Sequence, residues 1–448
     1  MTNIYRAEIL SFKKDPKKCD LICESLNYHE DGLIILNNGI IKDVGKYKDL
    51  KIKYNINDQD IDETYIDKLI MSGFIDTHIH YPQTEMIGSF GEELLPWLKK
   101  YTFPTELKFK NKKYADEISE LFIYELLKNG TTSALILGTV HEESVDAIFE
   151  AANSIDMRII AGKVMMDRNA PEELLDTPQS SFMQSENLIK KWHLKNRLLY
   201  AITPRFAPTS TNEQLKLVDE LKKKYPSTYL HTHLSENKNE LNWVKSLFPE
   251  SKNYLDVYDS FGLIGKRSIF AHAIHLEDSE YEILHHKGAA ISFCPTSNLF
   301  LGSGLFKIRE VKKENREIRL GIGTDVGAGT SFSMLKTLND AYKIISLEQN
   351  NKIKRQALCS FEAFYQATLG GASSLYLEDK IGKLEAGYEA DFIVIDFKPD
   401  TLQDLRIRKI EESEKSAIEK LEEKLFALMI MGDDRNILAT FINGKKVF

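Results

Sequence analysis

The sequence predicts an α/β chain: a (β/α)8 barrel of the TIM type, with a small β-domain formed by its N- and C-terminal flanks. Three observations carry that expectation. Short apolar runs of buried type alternate with amphipathic, helix-compatible segments, the pattern of parallel strands joined by crossover helices. Eight such runs occur, and eight β/α units close into a barrel. Beyond them, both flanks read as hairpins, and neither has a large enough core alone. The expected boundaries are 71–387 for the barrel, and 1–70 with 388–448 for the composite β-domain.

In chain order, "DGLIILNNGIIKDVGKY" comes first, with two apolar runs around Asn37, Asn38 and Gly39, a two-residue hairpin signal. The barrel runs follow as "LIMSGFIDTHIH", "TTSALILGTV", "RIIAGKVMMD", "RLLYAITPRFAP", "STYLHTHLSE", "RSIFAHAIHL", "AAISFCPTSN" and "IRLGIGTDVG". Between them, segments such as "KKYADEISELFIYELLKNG" and "TNEQLKLVDELKKKY" have helical amphipathicity. In the C-terminal flank, "GYEADFIVIDF" reads as a strand and "KIEESEKSAIEKLEEKLFALMIM" as one amphipathic helix. "ILATFINGKKVF" reads as a second hairpin, around Asn443 and Gly444.

The chain has 448 residues, 42% hydrophobic and 28% charged, ample for a large core. Its net charge is -8 and no long basic run occurs, so neither a nucleic-acid nor an anionic-membrane partner is expected. No apolar stretch approaches membrane-spanning length. "MTNIYRAEILSFKKD" carries charge early and lacks an apolar core, so no secretory signal is expected there. Four cysteines in a chain this long form no disulfide framework. The expectation is four reduced thiols in a cytoplasmic protein.

Functional groups in such barrels sit at the C-terminal ends of strands. Of the eleven histidines, His78, His80, His231, His233, His272 and His275 fall on the ends of strands 1, 5 and 6. Alternate residues of a strand share a face, so His78 and His80 point the same way, roughly 7 Å apart at Cα. Strand 4 ends in Arg205 and Phe206, strand 5 passes on to Glu236, and strand 8 ends in Asp325. Three imidazoles and one carboxylate, His78, His80, His233 and Asp325, suit one zinc or iron ion with a place for water. Nitrogen and oxygen ligands are expected, because no cysteine fits the set. His231 shares the face of His233 and competes with it; His233 is preferred because Glu236 lies three residues on, and His231 is then a packed histidine behind the ligands. No lysine ends strand 4 to bridge a second metal, and Lys163 is read early in strand 3. One metal leaves Glu236 to act as a proton shuttle, with His272 against the attacking water. His29, His141, His193, His275, His285 and His286 are read as structural or surface residues. The glycines of "GTDVGAGTSFSM" serve a tight loop.

The string "GFIDTHIHYPQTEMIGSFGEELLPWLKKYTFPTE" resembles the first signature of the guanine deaminases in the amidohydrolase superfamily. "TPRFAPTS", "THLSEN", "AHAIHL", "CPTSNLFLGSG" and "GTDVGAGTSFSML" follow in the family's order, from Leu33 to Asp396. His-x-His and the terminal Asp belong to the whole superfamily, whereas "HYPQ" and "PRFAPT" point to the guanine branch. The resemblance implies hydrolysis of guanine to xanthine and ammonia, with a metal hydroxide attacking C2. It implies catalytic roles for Glu236, His272 and Asp325, and a homodimer. The residues expected against the substrate are His80, Gln83, Arg205, Phe206, His233, Glu236 and Asp325. Arg205 only donates hydrogen bonds and suits the O6 carbonyl of guanine, where adenine would present a donor. Gln83 has both donor and acceptor atoms for the purine edge. Phe206 offers either a stacking face or plain packing. Two other readings are a mononuclear hydrolase of a different heterocycle, such as a pterin or triazine, and a non-enzymatic scaffold; the intact ligand set argues against the scaffold.

Overall fold

The computed structural model describes residues 2–91, 93–350 and 356–448. Barrel strands 1 to 8 are Phe74–His80, Thr131–Leu137, Arg158–Gly162, Leu198–Pro204, Tyr229–Leu234, Ser268–His272, Ala290–Phe293 and Arg319–Ile322. Each pairs in parallel with the next, from strand 1 through to strand 8. The strands are buried along nearly their whole length, which is why they read as continuous apolar runs rather than as alternating ones.

Strand 8 and strand 1 are joined differently. Among the described residues no ladder links them. The seam is closed just past the end of strand 8: Asp325 N donates to His78 O at 2.9 Å, and His80 N donates to Val326 O at 3.0 Å. The buried Asp76 carboxylate adds to it, accepting from Thr324 N at 3.2 Å, from the Thr324 hydroxyl, and from His78 N at 3.1 Å. Gly321 lets the two strands approach, since a Cβ there would lie 2.4 Å from Thr77 Cγ2.

The flanks combine into one seven-stranded sheet. Its order is Lys445–Lys446, Ile437–Ile442, Phe392–Ile395, Leu69–Ser72, Thr2–Phe12, Leu26–Asn37 and Ile40–Lys46. All its pairs are antiparallel except that of Leu69–Ser72 with Thr2–Phe12. Both expected hairpins are present, their turns formed by Asn38 (φ 50°) with Gly39 (φ 82°) and Asn443 (φ 50°) with Gly444 (φ 74°). Arg158 and Arg197, at the starts of strands 3 and 4, pair with Glu389 and Asp391 and tie this sheet to the barrel.

Two elements differ from the expectation. "LIMSGFIDTHIH" is two strands in two sheets, because the chain passes from one to the other at Gly73, where a Cβ would meet the Thr132 side chain at 2.1 Å. The long C-terminal helix is two helices, Thr401–Glu411 and Ala417–Met431. Ser416 starts the second with a capping box: its hydroxyl faces Glu419 N, and the Glu419 carboxylate accepts from Ser416 N at 2.9 Å. A new N-cap costs less than carrying Ser413 and Ser416 through a helix interior. Ser416→Ala is expected to lower stability by about 1 kcal/mol, read as a lower denaturant midpoint at unchanged slope. Among the described residues no helix is long and apolar enough to cross a membrane.

Candidate active site

The C-terminal strand ends converge on one cleft. His80, Gln83, Arg205, Phe206, His233, Glu236, His272 and Asp325 all line it. His78 lies fully buried just beneath. Every residue expected in the site is therefore in one place.

The nitrogen and oxygen atoms at the centre face each other at ligand-sharing distances. His78 Nε2 and His80 Nε2 stand 3.2 and 3.4 Å from Asp325 Oδ1. His80 Nε2 is 3.2 Å from His233 Nε2. An acceptor on the far side of the ring fixes the tautomer of His233. His233 Nδ1 is 2.7 Å from the Arg205 carbonyl, which only accepts, so Nδ1 carries the proton and Nε2 offers its lone pair to the centre. His231 settles behind the cluster, its Nε2 2.7 Å from His78 Nδ1, so that His78 Nε2 is the nitrogen turned to the centre. That Nε2 is buried with no hydrogen-bond partner. Burial, and then the neighbouring positive groups, hold His78, His80 and His233 well below the usual imidazole range. Neutral imidazoles with lone pairs converging on a carboxylate fit a divalent metal ion.

The backbone is bent to reach this geometry. Asp325 has φ 52° and His272 φ 68°, left-handed values that side chains other than glycine adopt at a cost. The loop after Asp325 turns at once, Gly329 N donating to Asp325 O at 2.5 Å. A Cβ at Gly329 would lie 1.7 Å from Thr324 O, so the tight loop requires that glycine.

Glu236 sits just past strand 5. His272 Nε2 is 3.4 Å from its Oε2, and the Ser303 hydroxyl donates to Oε1 at 3.4 Å. Burial, and then the Asp325 charge, push its carboxyl well above the usual range. His272 is oriented by Asn298 Oδ1, 3.0 Å from its Nδ1, and stands 3.8 Å from Asp325 Oδ2.

A model of the Amidohydrolase family matches residues 69–447. The chain belongs to the amidohydrolase family. It is 51% identical to a guanine deaminase of Escherichia coli K12 over 427 residues, 95% of this chain and 93% of that one. The amidohydrolase also superposes on two solved guanine deaminases. The Bradyrhizobium japonicum structure gives a TM-score of 0.95 at 37% identity, covering 100% of this chain and 99% of that one. The C. acetobutylicum structure, with guanine bound in its active site, gives 0.88 at 32%, covering 100% of both.

Four features of this amidohydrolase depart from the sequence reading. Cys294, at the end of strand 7, does lie in the centre, its sulfur within 4.8 Å of ligand atoms of His78, His272 and Asp325. Burial and the charges of Asp325, Asp76 and Glu236 keep its thiol protonated, and a neutral thiol is a poor ligand. Lys163 follows the last residue of strand 3 instead of lying early in it; its amine is occupied by Asp176 and by Val164 O at 3.2 Å. His275 lies beyond strand 6, bound through Nε2 to Ser303 O at 2.8 Å. Arg205, read as a cation in want of an acceptor, already has one in Glu106, whose oxygens lie 2.7 and 3.0 Å from Nη1.

Glu106 was not legible as a site residue, and neither were the side chains roofing the cleft, Leu94, Trp97 and Leu98. All belong to one nearly continuous helical stretch from Leu94 to Lys110, whose middle turn, Leu98–Thr102, is a π-helix. The available signal was a carboxylate three residues after Phe103, on the buried face of the stretch.

Proposed function

We propose that this amidohydrolase hydrolyses guanine to xanthine and ammonia with one zinc ion per chain, iron being the other metal its ligands suit. The observation that carries the reading is one cleft holding a neutral imidazole–carboxylate nest, a proton-binding Glu236 and the donor group of Arg205. Its relative in E. coli is a guanine deaminase, and the C. acetobutylicum structure has guanine in the active site.

His78, His80, His233 and Asp325 are the proposed ligands. A divalent ion held by them would acidify a water molecule toward neutral pH. Asp325 and His272 hold the water against C2 of the ring. Glu236 takes one water proton and delivers it to N3, which makes C2 more electrophilic. The water oxygen bonds to C2, giving a tetrahedral carbon. Glu236 then moves the second water proton to the C2 amine, the C2–N bond breaks, and ammonia departs, leaving the C2 carbonyl of xanthine. Arg205 and Gln83 hold the purine edge, and Phe206, packed near Trp243, bounds its face. The four cysteines are all free, as suits the reducing cytoplasm proposed as its location.

The test is an assay of the zinc-loaded protein for both products. One xanthine and one ammonia per guanine consumed is the expected result. Metal-loaded protein that leaves guanine intact would overturn the reading.

A further inference from the structure

We propose that Glu106 is a positioning residue that sets which purine edge the cleft reads, by making Gln83 as well as Arg205 a hydrogen-bond donor toward the ring. The inference rests on the guanine reading and deepens it.

Gln83 is almost wholly buried and held at both ends of its amide. Its Oε1 accepts from Gly327 N at 3.2 Å, and its Nε2 donates to Glu106 Oε1 at 3.3 Å. A backbone N–H can only donate and an ionised carboxylate can only accept. Rotating the amide would break both bonds at once and set N–H against N–H and oxygen against oxygen. Its orientation is therefore fixed by its neighbours. One lone pair of the carbonyl is taken by Gly327, and the second Nε2 hydrogen is left for a ligand. Gly327 lets the two segments approach, because a Cβ there would lie 2.8 Å from the Gln83 backbone oxygen and 3.2 Å from its Cβ.

The same carboxylate takes Arg205 Nη1 between its oxygens. A guanidinium has five donors in one plane; Nη1 is spent on Glu106, and Arg205 lines the cleft. Trp97 adds a third donor: it lines the cleft, and its indole N–H is buried without a protein partner. Glu106 itself is fully buried and is the only carboxylate bonded to Gln83 or Arg205 among the described residues.

This part of the cleft therefore presents mainly donors, from Arg205, Gln83 and Trp97. A ring that gives its amine to Glu236 and His272 has to meet it with acceptors. Guanine does so with O6, the one acceptor on that edge that 2-aminopurine and purine lack. A ring with an amine in place of O6 would set donor against donor, and 2-aminopurine has no oxygen there at all.

The experiment uses the zinc-loaded Glu106→Gln protein, with metal content and melting temperature recorded. In the variant one amide oxygen must serve both Arg205 and Gln83, and its own NH2 competes for the Gln83 carbonyl. Catalytic efficiency on guanine is expected to fall about 10–100-fold, mostly through KM, while that on 2-aminopurine changes less than about threefold. Competitive inhibition by hypoxanthine, which keeps O6, should weaken with the guanine KM, and inhibition by unsubstituted purine should not. Equal losses for guanine and 2-aminopurine, with both inhibitors unchanged relative to each other, would overturn the proposal and leave Glu106 a structural partner of Arg205. If Glu106→Gln does not fold, Glu106→Asp keeps the charge for Arg205 and withdraws it from Gln83, and the same ratios decide. Wild-type protein inactive on guanine would overturn the activity itself, a result separate from any change in these ratios.

Discussion

Glu236→Gln is expected to lose turnover by about 10²–10⁴-fold, the usual worth of a general acid–base group, while keeping its metal. The substitution preserves the shape of the side chain and its contact with Ser303, yet removes the ability to bind and release a proton. That ability is what the site has tuned. Burial and the nearby Asp325 charge raise the proton affinity of the Glu236 carboxyl, so a proton taken from water is held long enough to be passed to the ring. The checks are kcat on guanine and elemental analysis of the same preparation. Loss of the metal would make Glu236 a ligand, and full turnover would leave the shuttle role with another group.

His80→Ala is expected to reduce both bound metal and turnover to background without unfolding the protein. The imidazole contributes Nε2 to the centre, 3.4 Å from Asp325 and 3.2 Å from His233. The bond from residue 80 that closes the barrel comes from its backbone N–H, which alanine keeps. Wild-type protein should carry about one ion per chain, and removing it should lower the melting temperature, since a ligand present at ~100 times its Kd stabilises by about 2.7 kcal/mol. Two tightly held ions per chain would overturn the mononuclear reading, and an alanine variant with full metal would remove His80 from the ligand set.

The barrel was legible because its strands are buried on both faces and so appear as unbroken apolar runs, each ending in polar residues. The clustering of His78, His80, His233 and Asp325 was legible for the same reason: they are the polar ends of such runs. What could not be read was anything set by proximity between loops. Glu106 lies 99 residues from Arg205 and 23 from Gln83, in a helical stretch whose apolar residues look like ordinary core. Cys294 follows an apolar run with no histidine or acid at its end, and only the fold brings it to the centre. Lys163 was placed wrongly because the run "RIIAGKVMMD" is longer than the strand, which stops at Gly162, where a Cβ would collide with Ala201 O at 1.7 Å. The helix break at Ser416 was written in the sequence as a Ser-x-x-Glu cap, but the apolar periodicity on either side concealed it.

Asp76 and Thr324 meet across 248 positions of chain, and around them the first and last staves of the barrel are fastened by the same short segments that hold His78, His80 and Asp325. The reaction centre is thus the buckle of the ring. A chain that has formed strands 1 to 7 owns every imidazole and still lacks Asp325, so under the proposed ligand set metal capture would wait for the final stave. Enzyme activity then reports ring closure, and a refolding chain should regain secondary structure before it regains turnover. Wear at the buckle, through strain at Asp325 or loss of the Asp76 clasp, would open the vessel and disarm it in a single event.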